Sequence, residues 1–147
     1  MRHRKKTIKL GRTSEHRDAL LSSLVCNLVH ERRITTTLQK AKAARSLAER
    51  MVTLAKQNTL HSRRRAASIL RRDAAVAKLF GEIAPSMKDR NGGYTRILKL
   101  GKRASDSSEM AILEWVNYVP PPPKKKSEKE SKGQKKAADT KESAASN

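Results

Sequence analysis

Any core this chain builds must be aliphatic, because aromatic residues make up only 3% of it, and its aliphatic residues recur at helical spacing. Leu20, Leu21, Leu24, Val25, Leu28 and Val29 fall on one helical face. The spacing predicts a helix there, with Ser14 as candidate N-cap and Asp18 in the first turn, where a negative charge suits the helix dipole. Arg33-Ile34-Thr35-Thr36-Thr37 is a β-branched run suited to a short strand. Thr36 and Gln39 match a capping box. They open the longest expected helix, from about Thr37 to Lys56, with Leu38, Ala41, Ala48, Met51, Val52 and Ala55 inward. Its outer face holds Lys40, Lys42, Arg45, Arg50 and Lys56. Gln57-Asn58-Thr59 reads as a break, and Leu60 to Leu70 as a short helix carrying Arg63-Arg64-Arg65. Asp73 is expected to cap a further helix with Val76, Leu79, Phe80 and Ile83 on one face, and Pro85 to end it.

The pattern then changes. Lys88 to Gly93 is a polar loop finishing in Gly92-Gly93, and Tyr94 to Leu100 is strand-like. Gly101 to Ser108 is a loop, followed by a second strand-like run from Met110 to Val119 containing Trp115. Two such runs joined by a short loop point to an antiparallel pair. The opening Met-Ala-Ile-Leu-Glu keeps a helical reading of the second run open. Pro120 to Pro123 is a polyproline stop, and beyond it no apolar residue is larger than Ala. That composition predicts a disordered tail. At the other end, Met1 to Arg12 carries no acid and has only Ile8 and Leu10 as apolar side chains after Met1, so it is expected to be extended. The chain thus divides into a basic arm (1–13), one domain (14–119) and a tail (120–147).

Charge selects the partner. Lys and Arg number 34 against 14 Asp and Glu, a net charge of +20 on 147 residues. Residues 120–147 contain 8 basic and 4 acidic residues, leaving +16 for residues 1–119. Self-repulsion on this scale is relieved by a polyanion, and each neutralised phosphate also releases counterions. A membrane is the weaker choice, since no apolar run approaches the ~20 residues of a spanning helix and the N-terminus lacks a secretory apolar region. The single Cys26 fits a reducing compartment and a small core residue. His3, His16, His30 and His61 are isolated, and HExxH, CxxC and phosphate-loop patterns are missing. No cofactor, metal or small-molecule substrate is therefore expected, and an enzyme acting on RNA lacks a candidate acid–base pair.

The basic residues are dispersed over the arm, the outward helix faces and the second half of the domain (Arg90, Arg96, Lys99, Lys102, Arg103). A single DNA-reading helix would concentrate them. Dispersed cations suit a protein wedged between segments of folded RNA, positioned by phosphates and reading shape and 2′-hydroxyls. Scarce aromatics argue against a base-stacking platform. A DNA-compacting, histone-like role is allowed by charge, but no dimerisation seam or groove-inserting β-arm is visible. Gly92-Gly93 reads either as a turn needing positive φ or as a close approach of backbone to RNA phosphate.

Several short stretches now add up. Met1-Arg-His-Arg-Lys5, Lys9-Leu-Gly-Arg12, His16-Arg17, Ile34-Thr-Thr36, Lys40-Ala-Lys42, Thr53-Leu-Ala-Lys56, Leu79-Phe80, Gly92-Gly-Tyr-Thr-Arg-Ile97 and Lys99-Leu-Gly101 occur in this order. In order and spacing the chain resembles the bacterial large-subunit ribosomal protein seventeen (L-seventeen) family. The resemblance implies an α/β (α+β) domain of two layers, about four helices packed on a small, mostly antiparallel sheet of about three strands. It implies a structural constituent of the large ribosomal subunit, in the cytoplasm or in an organellar ribosome. Large-subunit rRNA and neighbouring subunit proteins would be partners, near the exit of the peptide tunnel. Together with the charge distribution, it marks as rRNA contacts or their supports Arg2, His3, Arg4, Lys5, Lys6, Lys9, Arg12, His16, Arg17, Lys40, Lys42, Arg63, Arg64, Arg65, Arg90, Gly92, Gly93, Tyr94, Arg96, Lys99, Lys102 and Arg103. The chain departs from the family pattern at Ser86, Ala104 and Trp115, and the tail from Pro120 lies beyond it.

Overall fold

A computed structural model of the chain describes residues 8–116. The long aliphatic stripes fold as expected into α1 (Ser14–Glu31) and α2 (Leu38–Gln57), joined by strand β1 (Arg33–Thr37) with a single left-handed residue, Arg32, at the turn. Every residue assigned inward on α2 is buried, and Ala44 joins them. Asn58 ends α2 in the left-handed conformation. Helix α3 (Leu60–Leu70) then starts with a reciprocal capping box, in which the Thr59 hydroxyl accepts from Ser62 N–H and the Ser62 hydroxyl accepts from Thr59 N–H.

Next come α4 (Asp73–Lys78), a π segment (Leu79–Ile83) and the single turn α5 (Ala84–Ser86), which act as one interrupted helix, the fourth. Strands β2 (Thr95–Lys102) and β3 (Glu109–Trp115) complete the described chain. The strand reading of the second run therefore holds over Glu109–Trp115. The sheet order is β1-β3-β2, antiparallel throughout.

Alternation along β3 explains the two layers. Ala111, Leu113 and Trp115 are buried against the helices. Helix α2 packs on all three strands and on α1, α3 and α5. The other face of the sheet stays open, with Arg33, Thr35, Arg96 and Leu98 exposed. Polar bonds lock the layers at buried points. The Trp115 indole Nε1–H donates to the Leu28 carbonyl near the end of α1 at 3.0 Å. The Ser22 hydroxyl donates to the Leu70 carbonyl at 2.8 Å, which satisfies an acceptor left open at the end of α3. Cys26 is fully buried beside it, and burial pushes its thiol pKa up.

Local capping expectations are corrected in four places. Thr13, not Ser14, is the N-cap of α1, and Glu15 rather than Asp18 occupies the first turn. Thr36 is held in β1 opposite Ala111, so the N-cap of α2 passes to Thr37 and makes no side-chain bond. The strand runs into the helix without a loop, and ladder pairing takes precedence over the box. Asp73 is the first helical residue rather than the cap. Pro85 lies inside α5 and the helix ends one residue later. The preceding π segment, where Ala84 N–H reaches Leu79 O, has already widened the ladder at the point where proline lacks a donor.

The arm also departs from the extended form. Leu10 and Gly11 both take positive φ, 56° and 63°, in a tight turn closed by Arg12 N–H to Lys9 O at 3.2 Å. Residues 1–7 of the expected arm, the boundary near Val119 and the tail from Pro120 lie outside the described residues.

Trp115→Phe should strip the buried Leu28 carbonyl of one of its two donors and leave a small void where the indole packed. The expected cost is about 1–2 kcal/mol, read as a lower urea midpoint by circular dichroism with an unchanged slope.

Candidate nucleic-acid interface

Helix α2 advances about 3.6 residues per turn, so Lys42, Ser46 and Arg50 form one ridge along it. That ridge, with Arg17 and Asp18 of α1 and Ser68, Ile69 and Arg71 at the end of α3, walls a groove of about 630 Å³. Leu21, Ala43 and Leu47 lie in it half-buried. The Leu10–Gly11 turn brings Ile8 onto the same groove. Arg12, at the base of that turn, donates from Nη1 to the Leu10 carbonyl at 2.8 Å, while its buried Nε has no partner. Lys9 and His16 are exposed nearby in sequence.

A second basic surface lies between α3 and α4. Arg63 sits over the Phe80 ring, 5.1 Å from its centroid, and donates to Asn58 Oδ1 at 3.1 Å. Arg63 and Arg64 line a depression there with exposed Leu60. Arg65 is exposed on α3, and Lys40 is half-buried near the start of α2.

The glycine pair resolves into a specific turn. Gly92 and Gly93 take φ of 139° and 59°, which favour glycine. Arg90 Nε donates to both of their carbonyls, at 3.1 and 3.0 Å. Lys56 Nζ donates to the Arg90 carbonyl at 2.7 Å and lies over the Tyr94 ring. Tyr94 is itself buried, which makes it a support for this loop rather than an exposed contact. A Cβ added at either glycine would meet nothing within 4 Å, so the outside of the turn is open to an approaching backbone.

Arg96 has a partner that the linear sequence conceals. Glu114 of β3 lies opposite Arg33 of β1 and Arg96 of β2. It accepts from Arg33 Nε at 2.8 Å through one carboxylate oxygen and from Arg96 Nε at 2.8 Å through the other. The carboxylate is buried on the otherwise open face because both guanidinium groups cover it. The hydrogen bond from Arg96, with the help of Arg33, holds the Glu114 pKa below its ordinary value.

At the tip of the β2–β3 hairpin, Arg103 donates to both oxygens of Asp106, at 2.9 and 2.7 Å. This holds the Asp106 carboxyl well below the usual carboxylate range and ties up the Arg103 charge. Lys99 and Lys102 remain exposed on β2.

The predicted residues are therefore spread over several faces rather than gathered at one point, and Arg2, His3, Arg4, Lys5 and Lys6 lie outside the described residues. Arg50, expected on the outer face of α2 but not among the rRNA contacts, and Arg71, not singled out at all, join the α1–α2–α3 groove. The four-residue spacing of Lys42, Ser46 and Arg50 was the available signal. Arg33 and Glu114 carried none, since their pairing depends on strand register.

The comparisons agree on one family. The profile described as Ribosomal protein L17 matches residues 20–116, well over half of the chain. A large ribosomal subunit protein bL17 from Desulfotalea psychrophila is 52% identical over 118 residues, 80% of this chain and 92% of the relative. The bL17 of Methylacidiphilum infernorum is 51% identical, over 78% of this chain and 88% of its own. That of Fusobacterium nucleatum subsp. nucleatum is 52% identical, and 79% of this chain spans its whole length.

A carboxylate whose pKa is depressed by folding contributes stability that is full at neutral pH and is lost as pH falls through its folded-state value. Glu114→Gln should therefore lower stability at pH 7 by about 1–2 kcal/mol, a modest figure because both arginines are more than half exposed. Urea midpoints for the variant and the parent should converge as the pH drops below about 4.

Proposed function

Because this chain belongs to the ribosomal protein L17 family, and so is a structural protein of the large ribosomal subunit and part of the translation machinery, we propose that its work there is to bind and stabilise folded large-subunit rRNA. The observation that carries this reading is the dispersal of unneutralised cations. Lys42, Arg50 and Arg71 line the α1–α2–α3 groove, Arg64 the surface between α3 and α4, and Lys99 and Lys102 lie on β2. None of them has an acidic partner among the described residues. Phosphates arranged around the domain would satisfy them together, which a straight duplex lying on one side would not. The glycine turn braced by Arg90 offers open backbone for a further approach, and Arg96 presents a guanidinium already oriented by Glu114.

Family resemblance extends the proposal to a place on the outer side of the particle near the exit of the peptide tunnel, with other large-subunit proteins as neighbours. The setting is a bacterial-type ribosome, in the cytoplasm or in an organelle. The proposed division of labour follows the three segments. The arm (1–13) binds further phosphates, the domain (14–119) docks, and the segment from Pro120 is not needed for docking. Support for the last point comes from the Fusobacterium relative, which is spanned in full by 79% of this chain.

The test is co-sedimentation of the full chain with large subunits through a high-salt wash, and filter binding to large-subunit rRNA across a salt series. Deleting Met1 to Arg12 should leave the circular dichroism signal of the domain and make log K against log salt shallower, by roughly 0.7–0.9 for each phosphate that the arm neutralises. An unchanged slope excludes the arm from the interface. Removing Pro120 to Asn147 should leave incorporation into subunits intact; a block would make that segment a docking element.

A further inference from the structure

We propose that the groove between α1, α2 and α3 is a receptor for one unstacked nucleotide of rRNA, its base on the apolar floor and its phosphates on the cationic rim. The proposal rests on the reading that this chain binds rRNA, and it assigns a specific task to one surface.

The groove has two chemistries arranged as a nucleotide has them. Leu21, Ala43, Leu47 and Ile69 come from all three helices and are left half-buried by folding. That apolar surface remains partly wet in the free protein, and covering it is favourable. Around it stand Arg17, Lys42, Arg50 and Arg71, with Asp18 as the only acid lining the groove among the described residues. A phosphate alone has no use for an apolar floor. A duplex keeps its bases stacked inside a convex surface and cannot enter a concavity. An unstacked nucleotide supplies a flat apolar face and an anionic backbone at once, and a volume of about 630 Å³ lies in the range of sites that enclose small ligands. Among the described residues, the groove lining includes no aromatic side chain. Guanidinium planes can take that stacking role for an unstacked base, and Arg50 and Arg71 are the candidates here.

Charge separates this occupant from the others. The sequence Met1-Arg-His-Arg-Lys-Lys6 has no acid to complement the cationic rim, and a second copy carrying +20 is no better matched to it. Ile8 reaches the groove edge through the Leu10–Gly11 turn. This places the root of the basic arm beside the bound nucleotide, so that one RNA segment runs from groove to arm.

Ser46, exposed on the α2 wall between Lys42 and Arg50, allows a test that leaves every charge in place. Full-length Ser46→Trp fills the groove from α2, and Ser68→Trp fills it from α3, which guards against one variant misfolding. Each is bound to large-subunit rRNA and read by filter binding, by base-specific chemical probing and by hydroxyl-radical footprinting of the backbone. The expected result is an affinity loss of about tenfold, in line with the loss of one stacked base, at an unchanged salt slope. One or two bases shielded by the parent chain become reactive, while the backbone footprint persists. Parental base reactivity and affinity in both folded variants would overturn the proposal and leave rRNA binding standing. Parental rRNA binding with failed incorporation into subunits would also overturn it, in favour of an acidic protein segment in the groove. Absence of rRNA binding by the parent chain overturns both readings.

Discussion

Strand β3 is the last described element, yet it lies between β1 and β2, and neither of those strands bonds to the other. Until β3 arrives, the sheet does not exist. The interactions that seat it are long in sequence: Trp115 to Leu28 spans 87 positions, and Glu114 to Arg33 spans 81. Closing loops of that length costs chain entropy before any favourable interaction offsets it. The apolar face of α2 supplies the offset, because Ala111 and Leu113 come down on the same stripe that α1 and α3 already cover. Helix packing and sheet closure thus share one apolar stripe in this domain.

The insertion of β3 also sets the electrostatics of the open face. A carboxylate between two arginines turns a repulsive pair into an ordered one and buries its own charge under their side chains. Glu49 does similar work on the other side, accepting from Arg45 on its own helix and from the Thr95 hydroxyl on β2. Acidic residues at these places join one element to another. Four ion pairs among the described residues engage Arg33, Arg45, Arg96 and Arg103, and the domain keeps a large positive excess on its surface.

Three of the positive-φ sites lie next to basic side chains. The Leu10–Gly11 turn, the left-handed Arg71 that ends α3 and the Gly92–Gly93 turn all sit beside exposed basic side chains. Positive φ in Leu10 and Arg71 is uncommon for residues with a Cβ. At Arg71 it turns the chain at the end of α3, where Arg71 shares a groove with Arg17 and Arg50.

Helices α1, α2 and α3, strand β1 and the burial of the α2 stripe were legible in the amino-acid order, and so was the dispersal of charge that excludes a single recognition helix. Periodicity is a local property: residues three and four apart share a face whatever the rest of the chain does. Caps were read less well, because Thr36 and Asp73 answer to the strand and the turn beside them as much as to their own propensities. What only the tertiary structure decided is who meets whom across the domain. The central place of β3, the Glu114 bridge, the burial of Tyr94 under the loop braced by Arg90 and Lys56, and the groove shared by Arg17, Arg50 and Arg71 all join residues far apart in sequence. Their pairing depends on strand register and helix crossing, and these are settled only when the whole core closes.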